Sequence, residues 1–311
     1  MINCLYCYNS LEKDEIDFHK SCSREFFGSE SPPKIDLEIK DIIELALKAL
    51  KNKTSVPGVQ SKLSLDIFKQ KGKESRLTIV GFWGRYILKP PEDKYPEMSE
   101  LEDLTMHMSE KLEIVTAKHS LVKLKSGELA YISKRFDRLK NDKIHVEDMA
   151  QLTETLTENK YRGSMERIGK IILKFSSYSG IDAIRLFELT LFSFITGNSD
   201  MHLKNFSLIR NEDEEIMLSP AYDLLSTKLL IPKDKEDLAL TLNGKKSNFR
   251  KKDFDLFAAQ LGINDAALRK IYEKFDNSFP EMNKLINKSF LSKKMKEKYL
   301  ALLGERRKVL W

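Results

Sequence analysis

The sequence predicts an α+β fold of two lobes, a β-rich N-terminal lobe with one helix and then a helical C-terminal lobe. Between Leu63 and Arg135, short apolar runs alternate with polar residues and are punctuated by turn signals. After Arg138 the apolar spacing becomes helical and stays so. The 311 residues are enough for two separate cores. The expected divisions are a short Cys/His element at 1–34, the N-lobe at 35–138 and the helical C-lobe at 139–311.

Ile35–Leu50 carries Leu37, Ile39, Ile42, Ile43, Ala46, Leu47 and Leu50 at helical spacing, so it reads as an amphipathic helix. Leu63, Leu65 and Ile67 alternate with Ser64 and Asp66, as a half-buried strand requires. Lys71–Gly72–Lys73 marks a turn, and strands follow at Leu77–Val80 and Arg85–Leu88, closed by Pro90–Pro91. Glu97–Leu112 reads as a helix. Leu121–Leu124 and Leu129–Arg135 read as strands joined through Ser126–Gly127. Helices are expected at Glu147–Leu156, Met165–Phe175 and Asp182–Thr196. The last is apolar nearly all round, which buries it centrally. Gly197 stops it, a hairpin of Phe206–Ile209 with Ile216–Leu218 follows, and helices fill the C-terminus.

Hydrophobic residues are 41% and charged residues 32%, an ordinary globular balance. No apolar run approaches the roughly 20 residues of a membrane span, and Met-Ile-Asn-Cys-Leu-Tyr-Cys is no secretory signal. A cytoplasmic protein without a membrane partner is expected. The net charge of +6 suits an acidic partner such as a nucleotide, a tRNA-bound protein or DNA, or else a solvated lysine-rich face.

The chemistry concentrates in Gly-Asn-Ser-Asp-Met-His-Leu-Lys-Asn, residues 197–205, and in Asp223 of Pro-Ala-Tyr-Asp. An aspartate five residues before an asparagine, with a second aspartate eighteen residues beyond, is the set that phosphoryl transfer in kinase-like enzymes requires. Asp200 is the proposed base and positioner of the attacking hydroxyl; alone it would be read as a loop cap. Asn205 and Asp223 would hold Mg²⁺ against the phosphates of ATP, and Lys204 would stabilise charge on the transferred group. His202 would link the loop to the core and adjoin the nucleotide. Lys89, at a strand end, can reach the α/β-phosphates. Its carboxylate partner should lie on the next helix, with Glu102 preferred and Glu100 and Asp103 as alternatives. The order of elements, with the loop straight after a buried helix, is that of the protein-kinase fold. The Phe-Gly pair that follows the metal-binding Asp of ordinary kinases is missing after Asp223. Thr54–Lys62 is not a Gly-rich phosphate loop either, since Gly58 is its only glycine.

Cys4-x₂-Cys7 and His19-x₂-Cys22 offer four soft ligands at zinc-knuckle spacing. A closed structural Zn²⁺ site, a nucleic-acid-binding finger and a turn with buried thiols all fit that spacing.

The chain resembles the HipA-type toxin kinases of bacterial toxin–antitoxin systems. The resemblance rests on Ser-Val-Pro-Gly-Val-Gln-Ser-Lys (55–62), Tyr-Ile-Leu-Lys-Pro (86–90), Tyr-Pro-Glu-Met-Ser-Glu-Leu-Glu (95–102), Lys-Arg-Phe-Asp-Arg (134–138), His-Val-Glu-Asp-Met-Ala-Gln-Leu (145–152), residues 196–208 and Pro-Ala-Tyr-Asp-Leu-Leu-Ser-Thr (220–227). It implies that 54–62 is the phosphate-binding loop, with Ser55, Val56, Gly58, Val59, Gln60 and Lys62 around the nucleotide. It also makes Ser55 the autophosphorylation site, with Thr54 as the alternative acceptor. Phosphate there adds roughly −2 charge beside the nucleotide and should silence the enzyme. Some short members have a second serine where Pro57 stands here, so dual autophosphorylation in that form is excluded. Glu102 becomes the implied partner of Lys89, and the backbone of Lys134, Arg135 and Phe136 the implied contact for adenine.

The chain opens on its Cys/His element where HipA has an extra subdomain, so it is more similar to the compact HipT toxins of HipBST systems. That similarity implies a HipS-like antitoxin, a HipB-like antitoxin that contacts operator DNA, and an aminoacyl-tRNA synthetase substrate, tryptophanyl-tRNA synthetase for HipT. A pseudokinase acting as a binding or corepressor module with a DNA-binding antitoxin is the alternative.

Overall fold

The computed structural model describes residues 3–38, 40, 62–70, 72–80, 83–139 and 142–311. Most of the helix expected over Ile35–Leu50, and residues 54–61 of the expected phosphate loop, lie outside the described residues. The chain divides into two compact units. One comprises Met1–Asp103, Ala117–Phe136 and Lys288–Leu291; the other comprises Leu104–Thr116, Asp137–Asn287 and Ser292–Trp311.

The first unit is built on a five-stranded sheet in the order β2-β1-β3-β5-β4, with every neighbouring pair antiparallel. Its strands are β1 (Leu63–Phe68), β2 (Arg76–Ile79), β3 (Tyr86–Lys89), β4 (His119–Lys123) and β5 (Leu129–Lys134). On β1, Leu63 and Leu65 are buried while Ser64 and Asp66 are only partly covered, the alternation that gives a strand one core face. Helix α1 (Lys20–Phe27) lays Phe26 and Phe27 on that face, against Tyr86 of β3. Cys4, Leu5 and Phe18 join the same core. The Cys/His element therefore shares a hydrophobic core with the sheet. Gly84 is demanded by close approach, because a Cβ there would come within 2.6 Å of the Leu65 carbonyl.

Helix α2 (Met98–Lys111) follows, and the division between the units falls within it. The second unit holds a three-stranded antiparallel sheet, β6 (His145–Asp148), β7 (Ser207–Arg210) and β8 (Ile216–Leu218), in that order. Its helices are α3 (Met149–Leu152), α4 (Met165–Phe175), α5 (Ser179–Thr196), α6 (Thr227–Leu230), α7 (Lys251–Gln260), α8 (Asp265–Lys288) and α9 (Lys293–Leu310).

The helix expected over Glu147–Leu156 is a correction. Residues 145–148 form β6, paired with β7, and the helix is only Met149–Leu152. Asp148 and Gln151 make a reciprocal capping box that starts the helix at Met149. Thr153 ends it, its hydroxyl donating to the carbonyl of Met149. The charged, short strand carried no alternation from which pairing could be read.

Helix α5 is buried along every residue from Leu186 to Thr196. Its buried hydroxyls are satisfied within the helix: Thr190, Ser193 and Thr196 donate to the carbonyls four residues earlier, at 2.7, 2.7 and 2.8 Å. Gly197 caps it in the left-handed region at φ 67°, and a Cβ there would meet Leu302 and Lys228 within 3 Å. A buried helix with a glycine stop thus launches the polar loop from a fixed point.

Candidate active site

In the second unit, the loop after Gly197 is held by its own backbone and by buried side chains. The amide of Ser199 donates to the Thr227 hydroxyl at 2.8 Å, and the Ser199 hydroxyl donates to Asp234 at 2.7 Å. The amide of Asp200 donates to the Asn198 side-chain oxygen at 3.1 Å. The carboxamide of Asn205 donates to the Asp200 carbonyl at 3.0 Å, so these two residues are brought together. The Tyr161 hydroxyl donates to the Asp200 carboxylate and fixes its orientation.

His202 is 6% exposed and stacks edge-on against Tyr161 at 5.1 Å. Burial pushes its imidazole down to about 4, against the opposing pull of the Asp200 carboxylate, so it is neutral at physiological pH. Its Nδ1 is buried without a hydrogen-bond partner among the described residues. Lys204 places its ammonium 2.7 Å from Asp148, the residue that also caps α3.

Asp223 follows a segment that α5 secures. Asp182 accepts the amide of Leu218 at 2.6 Å, and Arg185 donates to the carbonyls of Leu218 and Ser219. The Tyr222 hydroxyl then donates to the carbonyl of Lys204 at 2.9 Å, tying the Asp223 segment to the loop. Asp223 itself sits at φ 56°, a left-handed conformation that costs an L-residue about 1 kcal/mol or more. Such strain persists where the surroundings impose it, and it collects at functional sites.

In the first unit, Lys89 ends β3 and is 4% exposed. Its ammonium pairs with Glu102, itself 1% exposed, and lies 5.2 Å from the ring centre of Tyr131, its neighbour across the sheet. The geometry chooses among the three acids on α2. Asp103 is taken by His119 Nδ1 at 2.7 Å and the Tyr8 hydroxyl at 2.6 Å. Glu100 is partly buried, and burial pushes its carboxyl up to about 6. Lys134 ends β5, and Arg135 and Phe136 follow it. The amides of Lys134 and Arg135 already donate to the carbonyls of Lys118 and Arg85, so other groups of that segment would have to meet a purine. Lys62 lies exposed just before β1, whereas Thr54, Ser55, Val56, Gly58, Val59 and Gln60 lie outside the described residues.

Two residues of this arrangement were not singled out from sequence. Asp148 had a legible signal, the Asp-x-x-Gln of a capping box. Tyr161 had none, because a tyrosine in a polar loop looks like any other.

The family profile of the HipA-like C-terminal domain matches residues 54–282. The chain belongs to this family. A Sinorhizobium fredii protein that carries a kinase name, Y4dM, is 35% identical over 214 residues, which cover 64% of this chain and 50% of the relative. The chain thus spans about half the length of that relative. A Haemophilus influenzae protein, also carrying a kinase name, is 27% identical over 265 residues, 76% of each chain. In fold, HipA from Shewanella oneidensis, solved with HipB and its operator DNA, matches with a TM-score of 0.68 at 20% identity, over 86% of this chain and 70% of that one. The proinflammatory kinase CtkA of Helicobacter pylori matches with a TM-score of 0.55 at 17% identity, over 79% of this chain and 93% of that one. The fold is therefore the α+β, protein-kinase-like one. Among the described residues no helix is long and apolar enough to cross a membrane.

Proposed function

We propose that this chain is an ATP- and Mg²⁺-dependent serine/threonine protein kinase, the cytoplasmic toxin of a bacterial toxin–antitoxin system. Its proposed substrate is an aminoacyl-tRNA synthetase, with tryptophanyl-tRNA synthetase favoured, and its proposed brake is autophosphorylation at Ser55. The observation that carries the kinase reading is the buried Lys89–Glu102 ion pair. Burying two charges is expensive and adds little net stability, so a pair kept at a strand end is best explained by a ligand that needs the ammonium.

The roles follow from donor chemistry. Lys89 binds the α/β-phosphates, held in place by Glu102. Asp223 and Asn205 offer the hard carboxylate and carboxamide oxygens that suit Mg²⁺. The ion, when bound, supplies charge neutralisation on the phosphates. Asp200, oriented by Tyr161 and Asn205, holds the substrate hydroxyl. Its carboxylate takes the proton as the hydroxyl oxygen bonds to the γ-phosphorus. The bond from that phosphorus to the β–γ bridging oxygen breaks, and ADP leaves with the electron pair. Lys204, anchored on Asp148, faces the developing negative charge. His202, neutral and buried, supports the loop.

HipB-like and HipS-like antitoxins are the proposed partners, with operator DNA reached through the HipB-like one. The neighbour solved with HipB and operator DNA supports that arrangement, and the alternative reading, a pseudokinase corepressor acting with a DNA-binding antitoxin, would share those partners without catalysis. Intact-mass spectrometry after incubation with Mg·ATP separates them. One added phosphate on the wild type, mapped to Ser55, and none on Asp200→Asn supports the kinase; no phosphate from demonstrably unmodified protein supports the corepressor. With a synthetase substrate, Asp200→Asn should lower kcat by about 10²–10⁴.

A further inference from the structure

We infer that Cys4, Cys7, His19 and Cys22 bind one Zn²⁺ in a closed structural site, and that this site braces the segment of α2 that carries Glu102. The inference is independent of the kinase reading, since neither its argument nor its test uses catalysis.

The four ligand atoms lie within 4.8 Å of one another. The Cys7 and Cys22 sulfurs are 3.3 and 3.6 Å from His19 Nδ1. Tetrahedral Zn²⁺ with Zn–S of about 2.3 Å holds its sulfurs about 3.8 Å apart, so closing on the ion needs a contraction of about 1 Å at most. The surroundings are arranged for a metal. His19 Nε2 donates to the Ser10 carbonyl at 3.1 Å, which places the proton on Nε2 and leaves the Nδ1 lone pair directed at the sulfurs. The amide of His19 donates to the Cys4 sulfur at 3.5 Å, as a backbone N–H does to a metal thiolate. The Cys4–Asn9 turn is closed by the Cys4 amide on the Asn9 carbonyl at 2.8 Å, with Tyr8 left-handed at φ 63°. Three thiols and an imidazole crowded without disulfides are well explained by an ion that binds them as thiolates. Four protein ligands leave no position for substrate, so the ion is structural.

The knuckle has a mechanical output. Tyr8, 1% exposed inside the turn, packs edge-on against Phe290 and donates its hydroxyl to Asp103 at 2.6 Å. Asp103 also takes His119 of β4 at 2.7 Å, and it is the residue next to Glu102. The ion therefore fixes a turn, the turn fixes Tyr8, and Tyr8 fixes the segment Met98–Asp103 on the sheet.

The first test is metal analysis of the purified full chain, followed by cobalt substitution. One zinc per chain is expected, and the Co²⁺ form should show tetrahedral d–d bands with thiolate charge transfer. Both signals should be lost in a Cys7→Ser/Cys22→Ser double variant. His19→Cys should keep the ion with a stronger charge-transfer band, which covers the case in which the double variant fails to fold. Protein that folds without metal, or that holds iron in place of zinc, overturns the site. For the brace, Tyr8→Phe should keep its zinc while amides of Met98–Asp103 lose protection in hydrogen exchange. Unchanged protection in zinc-loaded Tyr8→Phe overturns the coupling.

Discussion

Lys89 and Glu102 are almost wholly buried and face each other as an ion pair, which offsets part of the cost of burying charge. Removing one partner takes the counter-charge of this pair away from a buried group. Glu102→Gln should therefore destabilise the protein by about 3–5 kcal/mol in urea unfolding, while Lys89→Met/Glu102→Met together should cost far less. A double variant as unstable as the single would mean that the pair itself holds the fold. Glu100, two residues earlier, is a different case. Burial raises its folded pKa to about 6, above its ordinary 4.5. Between these values the folded state binds the extra proton, so stability falls as pH rises through that window. Below it both states are protonated and the penalty vanishes. Glu100→Gln should thus stabilise the protein by about 1–2 kcal/mol at pH 7.5 and change little at pH 4, read by chemical denaturation at both pH values.

At the scale of elements, α5 and its glycine stop decide where Asp200 begins. Gly197→Ala meets two obstacles together, a left-handed backbone and side-chain atoms within 3 Å. A loss of about 2–3 kcal/mol is expected, seen as a lower Tm. An unchanged Tm would show that the loop is set from elsewhere. The sheets divide in legibility. In the first unit β1 was readable from alternation, because one of its faces is buried and the other partly wet, whereas β4, buried at four consecutive positions, was readable only as a short apolar run bounded by turn residues. β6 was not: His-Val-Glu-Asp has no apolar face, and it is a strand because β7 offers it a partner.

For the whole molecule, the proposed function gives the nucleotide phosphates to Lys89 and the Mg²⁺ that accompanies them to Asp223. A non-hydrolysable ATP analogue with Mg²⁺ at a hundred times its Kd should stabilise the wild type by about 2.7 kcal/mol. Lys89→Met and Asp223→Asn should each abolish most of that thermal shift. A shift retained by either variant would remove its residue from the nucleotide site.

The sequence by itself determined the lobe order, the buried helix, the Asp200–Asn205–Asp223 spacing and the four soft ligands near the N-terminus. These are local: each depends on residue type at a short, fixed separation. Tertiary structure alone decided the rest. It set Glu102, the acid the sequence already preferred, against Lys89 and gave Asp103 to His119 and Tyr8, since acids on one helix differ in what lies opposite them. It brought Tyr161 to Asp200 and Asp148 to Lys204, partners 39 and 56 residues apart. It also joined the Cys/His element to the sheet through one core and the Tyr8–Asp103 bond. Periodicity reports which face of an element is buried, but the neighbour that buries it is chosen by the fold as a whole.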